Sequence, residues 1–360
     1  MNRDLYIRPV GLTPVRPTSE EEFETPGLRL AGGWLTFMGL EVIERVARDK
    51  RRTRVFEVGE YCERDWGRQT AAAAELLESL RQPRSRIAGL SLDRPRIMGI
   101  VNITPDSFSD GGRLPTAQAA IDHALRLEEQ GADILDLGAE STRPGSDPVS
   151  VDEELRRLMP VLEALVGRTR ALISVDTRNA EVMRRAAEAG ADIINDVSAL
   201  THDPDALEVA AETGLPVVLM HTLGDPKTMQ LDPRYDDVAL DIFDYLEERV
   251  LRAEAAGIDR SRLIVDYGIG FGKTPDHNLA LLSQTALFHA LGVPILVGAS
   301  RKRFIGTLTG VEQASERVAG SVGAAIAVVN QGAQIIRVHD VAETRQALTV
   351  WEAATSGVKS

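Results

Sequence analysis

Between Arg96 and Val350, eight short β-branched or aliphatic runs finish at Asn102, Glu140, Asp176, Asn195, His221, Asp266, Ser300 and His339, all residues able to bind or ionise. A stretch with helical periodicity follows each. Polar groups at the carboxyl ends of successive parallel strands are where a (β/α)8 barrel places its chemistry. Asp176, Asn195 and Asp266 end the third, fourth and sixth runs. A strand-end carboxylate can serve as a general base, a metal ligand or an acceptor for a ligand's N–H groups. Two acids and an amide together also match a planar heterocycle with adjacent donors and acceptors. Asp196 is open to two readings, in the barrel wall or capping a helix.

A second group of residues suits an anion. Thr142 and Arg143 lie in the loop Glu140–Ser146, shaped by Pro144 and Gly145. Gly298, Ser300 and Lys302 follow the seventh run, and Arg337 and His339 sit two apart on the eighth, so they point the same way. The guanidinium fork binds anions bidentately, and the loops after strands seven and eight of a barrel often hold phosphate. Arg143, Lys302, Arg337 and His339 are therefore expected to surround an anionic leaving group. The first loop runs about 14 residues from Asn102 to Pro115, long against the 2–6 usual for a βα connection, and carries Phe108 at its middle, as a lid would. Tyr267–Thr274 superficially resembles a phosphate loop, but Tyr267 stands where the motif needs Gly. Its glycines are expected to let backbone pass close to a flat ligand, with Phe271 against the ligand's face. No Ser-His-Asp arrangement and no zinc spacing is present.

These residues need a scaffold that gathers them. Strands are predicted at Ile97–Asn102, Ile134–Gly138, Leu172–Val175, Ile193–Val197, Val217–His221, Leu263–Asp266, Ile295–Val297 and Ile335–Val338, with helices between them, including Ala180–Ala189 and Asn278–Leu291. Near-continuous apolar strands alternating with helices mean a parallel sheet covered on both faces. Eight such units predict an α/β fold, a (β/α)8 TIM barrel over 96–360. Residues 1–95 read as a small N-terminal α/β extension: a Pro-rich, acidic, poorly packed arm, apolar runs over Leu28–Tyr61, an Ala-rich helix at Gln69–Leu80 and a linker over Arg81–Pro95. The net charge of -13 argues against nucleic acid and anionic lipid as partners. Cys62 is the only cysteine, which excludes an intrachain disulfide, and no run has the length and apolarity of a membrane span. A soluble, cytoplasmic protein is the expectation, and a homodimer the commonest assembly.

The segments Met98–Gly112, Ile134–Gly145, Ser174–Thr177, Ile193–Val197, Leu219–Gln230, Ile264–Lys273, Leu296–Ile305 and Ile335–Val341 resemble the dihydropteroate synthases of the folate pathway. All eight strand ends take part, over about 255 residues. The resemblance implies that Asp176, Asn195, Asp266 and Lys302 hold a pterin edge with Arg337 stacked on the ring. It implies that Asn102 helps place Mg2+ on a pyrophosphate, which Thr142, Arg143 and His339 bind. Ser300 would meet p-aminobenzoate under loops containing Phe108 and Pro144. Tyr267 departs from the pattern, which usually has Pro there. Two other classes compete: a pterin-binding methyltransferase, which has no pyrophosphate to hold, and a catalytically idle pterin-binding protein with the extension as its working part.

Overall fold

The computed structural model describes residues 5–15, 27–47, 50–103, 117–140, 149–224 and 228–357. Eight parallel strands close into a barrel in sequence order: β1 (Arg96–Asn102), β2 (Ile134–Gly138), β3 (Leu172–Asp176), β4 (Ile193–Asp196), β5 (Val217–Met220), β6 (Leu263–Asp266), β7 (Ile295–Val297) and β8 (Ile335–Val338). The seam runs from Ile335↔Arg96 to Val338↔Gly99. Each strand lies within two residues of its predicted span. Helices fill the outer layer. Ser150 caps Val151–Leu165 by accepting from Glu153 N–H, and Gly190, at φ 102°, ends Ala180–Ala189 in the left-handed conformation that glycine adopts without strain. The predicted helix Asn278–Leu291 is two elements, an α-helix Pro275–Ser283 and a 3-10 turn Thr285–Leu291, whose residues are all buried.

Side chains of a strand alternate in direction, so the barrel interior fills in layers. The lowest layer is apolar: Met98, Ile134, Ile193, Val218, Ile264, Leu296 and Ile335 pack together. Ile87 and Leu92 join that cluster from the segment expected to be a linker. Arg81–Pro95 thus supplies the floor of the barrel, because the open lower mouth would otherwise expose aliphatic side chains. The layer above it holds the polar residues.

The extension is also better packed than its composition suggests. Leu5–Val10, Gly39–Ala47 and Lys50–Glu57 form an antiparallel sheet, with a smaller sheet of Thr13–Pro14, Leu35–Phe37 and Leu28–Arg29 and helices Val58–Glu63 and Thr70–Arg81. Leu5, Tyr6 and Ile7, at the start of the expected arm, are buried in the same cluster as the barrel's helices. An alternating-strand reading was hidden there by Pro9 inside the strand and Pro14 just after it.

Candidate active site

The second interior layer of the barrel is a connected polar network. Asp136 on β2 is fully buried and accepts from Ser174 Oγ at 2.6 Å, Arg337 Nε at 2.6 Å and Asn195 Nδ2 at 3.1 Å. Arg337 reaches Asp176 as well, Nη2 to Oδ2 at 2.9 Å. Cross-strand register explains the grouping: Asp136 pairs with Ser174, and Asp176 with Asn195. With its amide nitrogen committed to Asp136, Asn195 offers a ligand its carbonyl oxygen. Burial pushes the Asp176 carboxyl up to about 7, with Asp136 and Asp196 adding and Arg337 opposing. Burial works against the charge of Arg337, but Asp136 and Asp176 outweigh it and hold the guanidinium above its usual value. Arg337 is thus held along its N–H edge by two carboxylates.

Asp266 closes the other side. Its Oδ1 accepts from Gly268 N–H at 2.7 Å, which fixes the carboxylate. Gly298 stands beside Oδ2 and Arg337, where an added Cβ would come 3.9 Å from Asp266 Oδ2 and 3.8 Å from Arg337 Cβ. Burial raises the Asp266 pKa, while Gly268 N–H and the Lys302 charge oppose it. Lys302 Nζ lies 4.2 Å from the centroid of Phe271, an ammonium over a ring face.

Ser300 and His339 meet at the top of β7 and β8. Ser300 Oγ accepts from His339 N–H at 3.2 Å and stands 3.0 Å from Nδ1. The contact ties the imidazole to the end of β7 through Nδ1 and leaves Nε2 as its other polar atom. Asn102 ends β1 beside Gly138 of β2. The structure thus brings together Asp176, Asn195, Asp266, Phe271, Gly298, Ser300, Lys302, Arg337, His339 and Asn102 at the carboxyl end of the barrel. Phe108, Thr142, Arg143 and Pro144 lie outside the described residues.

Three strand-end residues serve the scaffold instead. Glu140 is held by Arg178, Nη2 to Oε1 at 2.9 Å. Asp196 points outward and accepts from Ser198 N–H, Ser198 Oγ and Leu200 N–H, so it caps a turn. His221 faces the buried Lys273, whose Nζ lies 3.0 Å from His221 Nδ1 and donates to Phe271 O at 2.9 Å and His221 O at 3.4 Å. Two glycines of the β6 loop pack against the segment after β5: a Cβ on Gly268, at φ +67°, would sit 2.0 Å from His221 O, and one on Gly272 2.6 Å from Leu223 Cβ, whereas one on Gly270 would meet Lys302 Cδ at 3.1 Å. Tyr267 turns away from the site into the helix layer, its hydroxyl 2.9 Å from Thr285 Oγ1.

Sequence reasoning missed Asp136, Ser174 and Lys273. Asp136 is a single acid between Leu135 and Leu137, so both parities of its strand are otherwise apolar or glycine and no local signal marks it as inward.

Comparison with known proteins agrees with this geometry. The profile of the family described as pterin binding enzyme matches residues 98–339. Dihydropteroate synthase of Escherichia coli (strain K12) is 52% identical over 267 residues, 74% of this chain and 94% of that protein. The enzyme of Neisseria meningitidis serogroup B is 52% identical over 272 residues, 73% of this chain and 94% of its own. The Xanthomonas albilineans dihydropteroate synthase solved with 4-aminobenzoic acid superposes with a TM-score of 0.71 at 55% identity, covering 76% of this chain and 98% of that one. Its complex with 7,8-dihydropteroate gives 0.68 at 52% identity, with the same coverage. The chain belongs to the pterin-binding enzymes and, among them, to the dihydropteroate synthases.

Proposed function

We infer that the chain condenses 6-hydroxymethyl-7,8-dihydropterin pyrophosphate with p-aminobenzoate, giving 7,8-dihydropteroate and pyrophosphate. The observation that carries this is the convergence of Asp176, Asn195, Asp266, Lys302 and Arg337 on one barrel mouth, in a chain about half identical to dihydropteroate synthases. The complexes of its relatives with 4-aminobenzoic acid and 7,8-dihydropteroate support that arylamine substrate and that product here, and a Yersinia pestis relative solved with a sulfonamide drug supports sulfonamides as inhibitors.

In this reading Asp266 and Asn195 accept from the N–H groups of the pterin edge, and Phe271 and Lys302 border the ring. The bond from the pterin methylene carbon to the bridging oxygen breaks, with its electron pair leaving on pyrophosphate. The amine lone pair of p-aminobenzoate forms the new C–N bond and the amine then loses a proton. Negative charge builds on the departing oxygen, so donors aimed there lower the barrier. His339, together with Arg143 and Thr142 from the second loop, fills that role. Asp176 faces the positive charge left on the pterin. An arylamine needs no strong base, in keeping with the site's donors and acceptors. Phe108 and Pro144 cover p-aminobenzoate, which Ser300 meets.

Among the described residues no three His, Cys, Asp or Glu side chains stand together as a metal cage. Mg2+ is content with one or two protein oxygens plus water and substrate phosphates, so the single side-chain oxygen of Asn102 fits a Mg2+ carried on the pyrophosphate. Bound there, the ion would neutralise charge on the leaving group. Magnesium dependence, a homodimer and a cytoplasmic location are part of the proposal; no helix of the described residues is long and apolar enough to cross a membrane.

The test is pyrophosphate release from the pterin pyrophosphate, measured with and without p-aminobenzoate. Release that requires the arylamine and yields dihydropteroate is expected, whereas methyl transfer or pterin binding without turnover would remove the reading. Arg143→Ala should cut turnover roughly a hundredfold while calorimetry with a non-phosphorylated pterin shows nearly unchanged affinity.

A further inference from the structure

The relatives match about three quarters of this chain, and the family profile begins at residue 98, so the extension needs an account of its own. It grips the two helices that flank the β6 loop. Tyr6 donates to Asp244 Oδ1 at 2.7 Å, and Arg45 donates to Asp241 Oδ1 at 2.8 Å and Asp244 Oδ2 at 3.1 Å. Arg51 donates to Asp237 Oδ2 at 3.0 Å and to Gln284 Oε1 at 3.2 Å. Asp237 caps the helix Val238–Ala255, and just before it Tyr235 donates to Gly272 O at 2.8 Å, inside the loop that carries Phe271.

A second route runs through rings. Tyr6 stands edge-on to Phe243 with centroids 5.4 Å apart, Phe243 lies 6.2 Å from Phe288, and Phe288 lies 5.0 Å from Tyr267. Tyr267 directly follows Asp266, at the position where the family usually has Pro. Proline would hold its own backbone rigid; a tyrosine there draws its position from what it packs against. The aromatic chain therefore links the extension to the backbone that aims Asp266.

We propose that the N-terminal extension, through Tyr6, Arg45 and Arg51, positions Asp266 and the Tyr267–Lys273 loop and so sets the affinity for the pterin substrate. In naming that substrate the proposal rests on the dihydropteroate synthase reading. Tyr6, Arg45 and Arg51 are positioning residues, acting through Tyr267 and Tyr235.

The test uses the full chain, with steady-state kinetics in both substrates and calorimetric titration with 6-hydroxymethylpterin. Tyr6→Ala and Arg45→Ala should raise KM for the pterin pyrophosphate roughly three- to tenfold, with kcat and KM for p-aminobenzoate within twofold of the wild type. Tyr6→Phe keeps the ring and should recover most of the affinity. Tyr61→Phe is the control: it removes only the bond to Ala73 O, within the extension, and should lower Tm while leaving pterin affinity alone. Should Tyr6→Ala fail to fold, Arg45→Gln with Arg51→Gln decides on the same KM. A lower Tm with unchanged pterin affinity in these variants would overturn the proposal. A wild type without turnover would count against the synthase reading instead, and the calorimetric comparison would still decide this one.

Discussion

Arg337 carries one positive charge between two buried carboxylates, so the trio Asp136, Asp176 and Arg337 is anionic when both acids are ionised. Burial holds Asp176 at about 7, above the ordinary 3.8 of an unfolded chain. A carboxyl whose folded value is raised favours the protonated form in the folded state. Its stabilising contribution is complete below about pH 4 and disappears as pH climbs through 7, with an upper limit of about 4 kcal/mol. Asp176→Asn is neutral at every pH and leaves Arg337 its bond to Asp136. This variant should melt level with the wild type at pH 4 and clearly above it at pH 8, while losing pterin affinity. Thermal unfolding across that range checks it; a difference in Tm that does not grow with pH would refute the assignment. Asp176, Asn195 and Asp266 were legible because each ends a run of aliphatic residues. Asp136 was not, because it lies inside Ile134–Gly138, where a single acid between leucines gives no sign of which side it faces until register with Ser174 is known.

At the scale of elements, the β6 loop owes its shape to Lys273. Its Nζ donates to Phe271 O and His221 O and lies 3.0 Å from His221 Nδ1, while burial lowers the Lys273 pKa well below that of a free lysine. The arrangement ties the end of β5 to the end of β6 and holds Phe271 over the mouth. Lys273→Met preserves most of the stem but leaves two buried carbonyls unsatisfied, a loss of roughly 1–3 kcal/mol each. Faster amide hydrogen exchange over Gly268–Gly272 and weaker pterin binding are the expected results; unchanged exchange would mean that the glycine packing alone holds the loop. The barrel was readable at this scale because apolar runs and helical periods are local properties. Such contacts are not. The Gly-x-Gly-x-Gly spacing announced close approach, but only the fold sets Gly268 and Gly272 against His221 and Leu223. The break between Pro275–Ser283 and Thr285–Leu291 was hidden for a related reason, since both halves are apolar and the turn at Gln284 has no proline or glycine to mark it.

For the molecule as a whole, barrel and extension share one hydrophobic core. Leu30, Leu35, Phe37, Leu40, Ile43, Leu76 and Leu80 pack in the same cluster as Phe243, Phe288 and Leu291. Arg84 joins the two at the crossing, donating to Ser79 O and Gln82 O on one side and to His289 O on the other. None of this could be read from residues 1–95, whose prolines and acidic run gave the composition of a loose arm while the burial of Leu5–Ile7 depends on helices more than 200 residues away. Where a fragment begins therefore matters twice over. A cut at 96 removes Ile87 and Leu92 and opens the barrel floor, whereas a cut after Arg84 keeps the floor and uncovers only the face beneath the extension. That face contains the aromatic pair Phe243 and Phe288 and is larger than the isolated apolar side chains a soluble surface tolerates. The 85–360 fragment should consequently self-associate and melt several degrees below the full chain, as light scattering and calorimetry would show. Residues 1–84 supplied as a separate polypeptide should bind it and reverse both effects. A fragment that stays monomeric with the Tm of the full chain would mean that the shared core contributes little, and that the extension is held to the barrel mainly by its arginines.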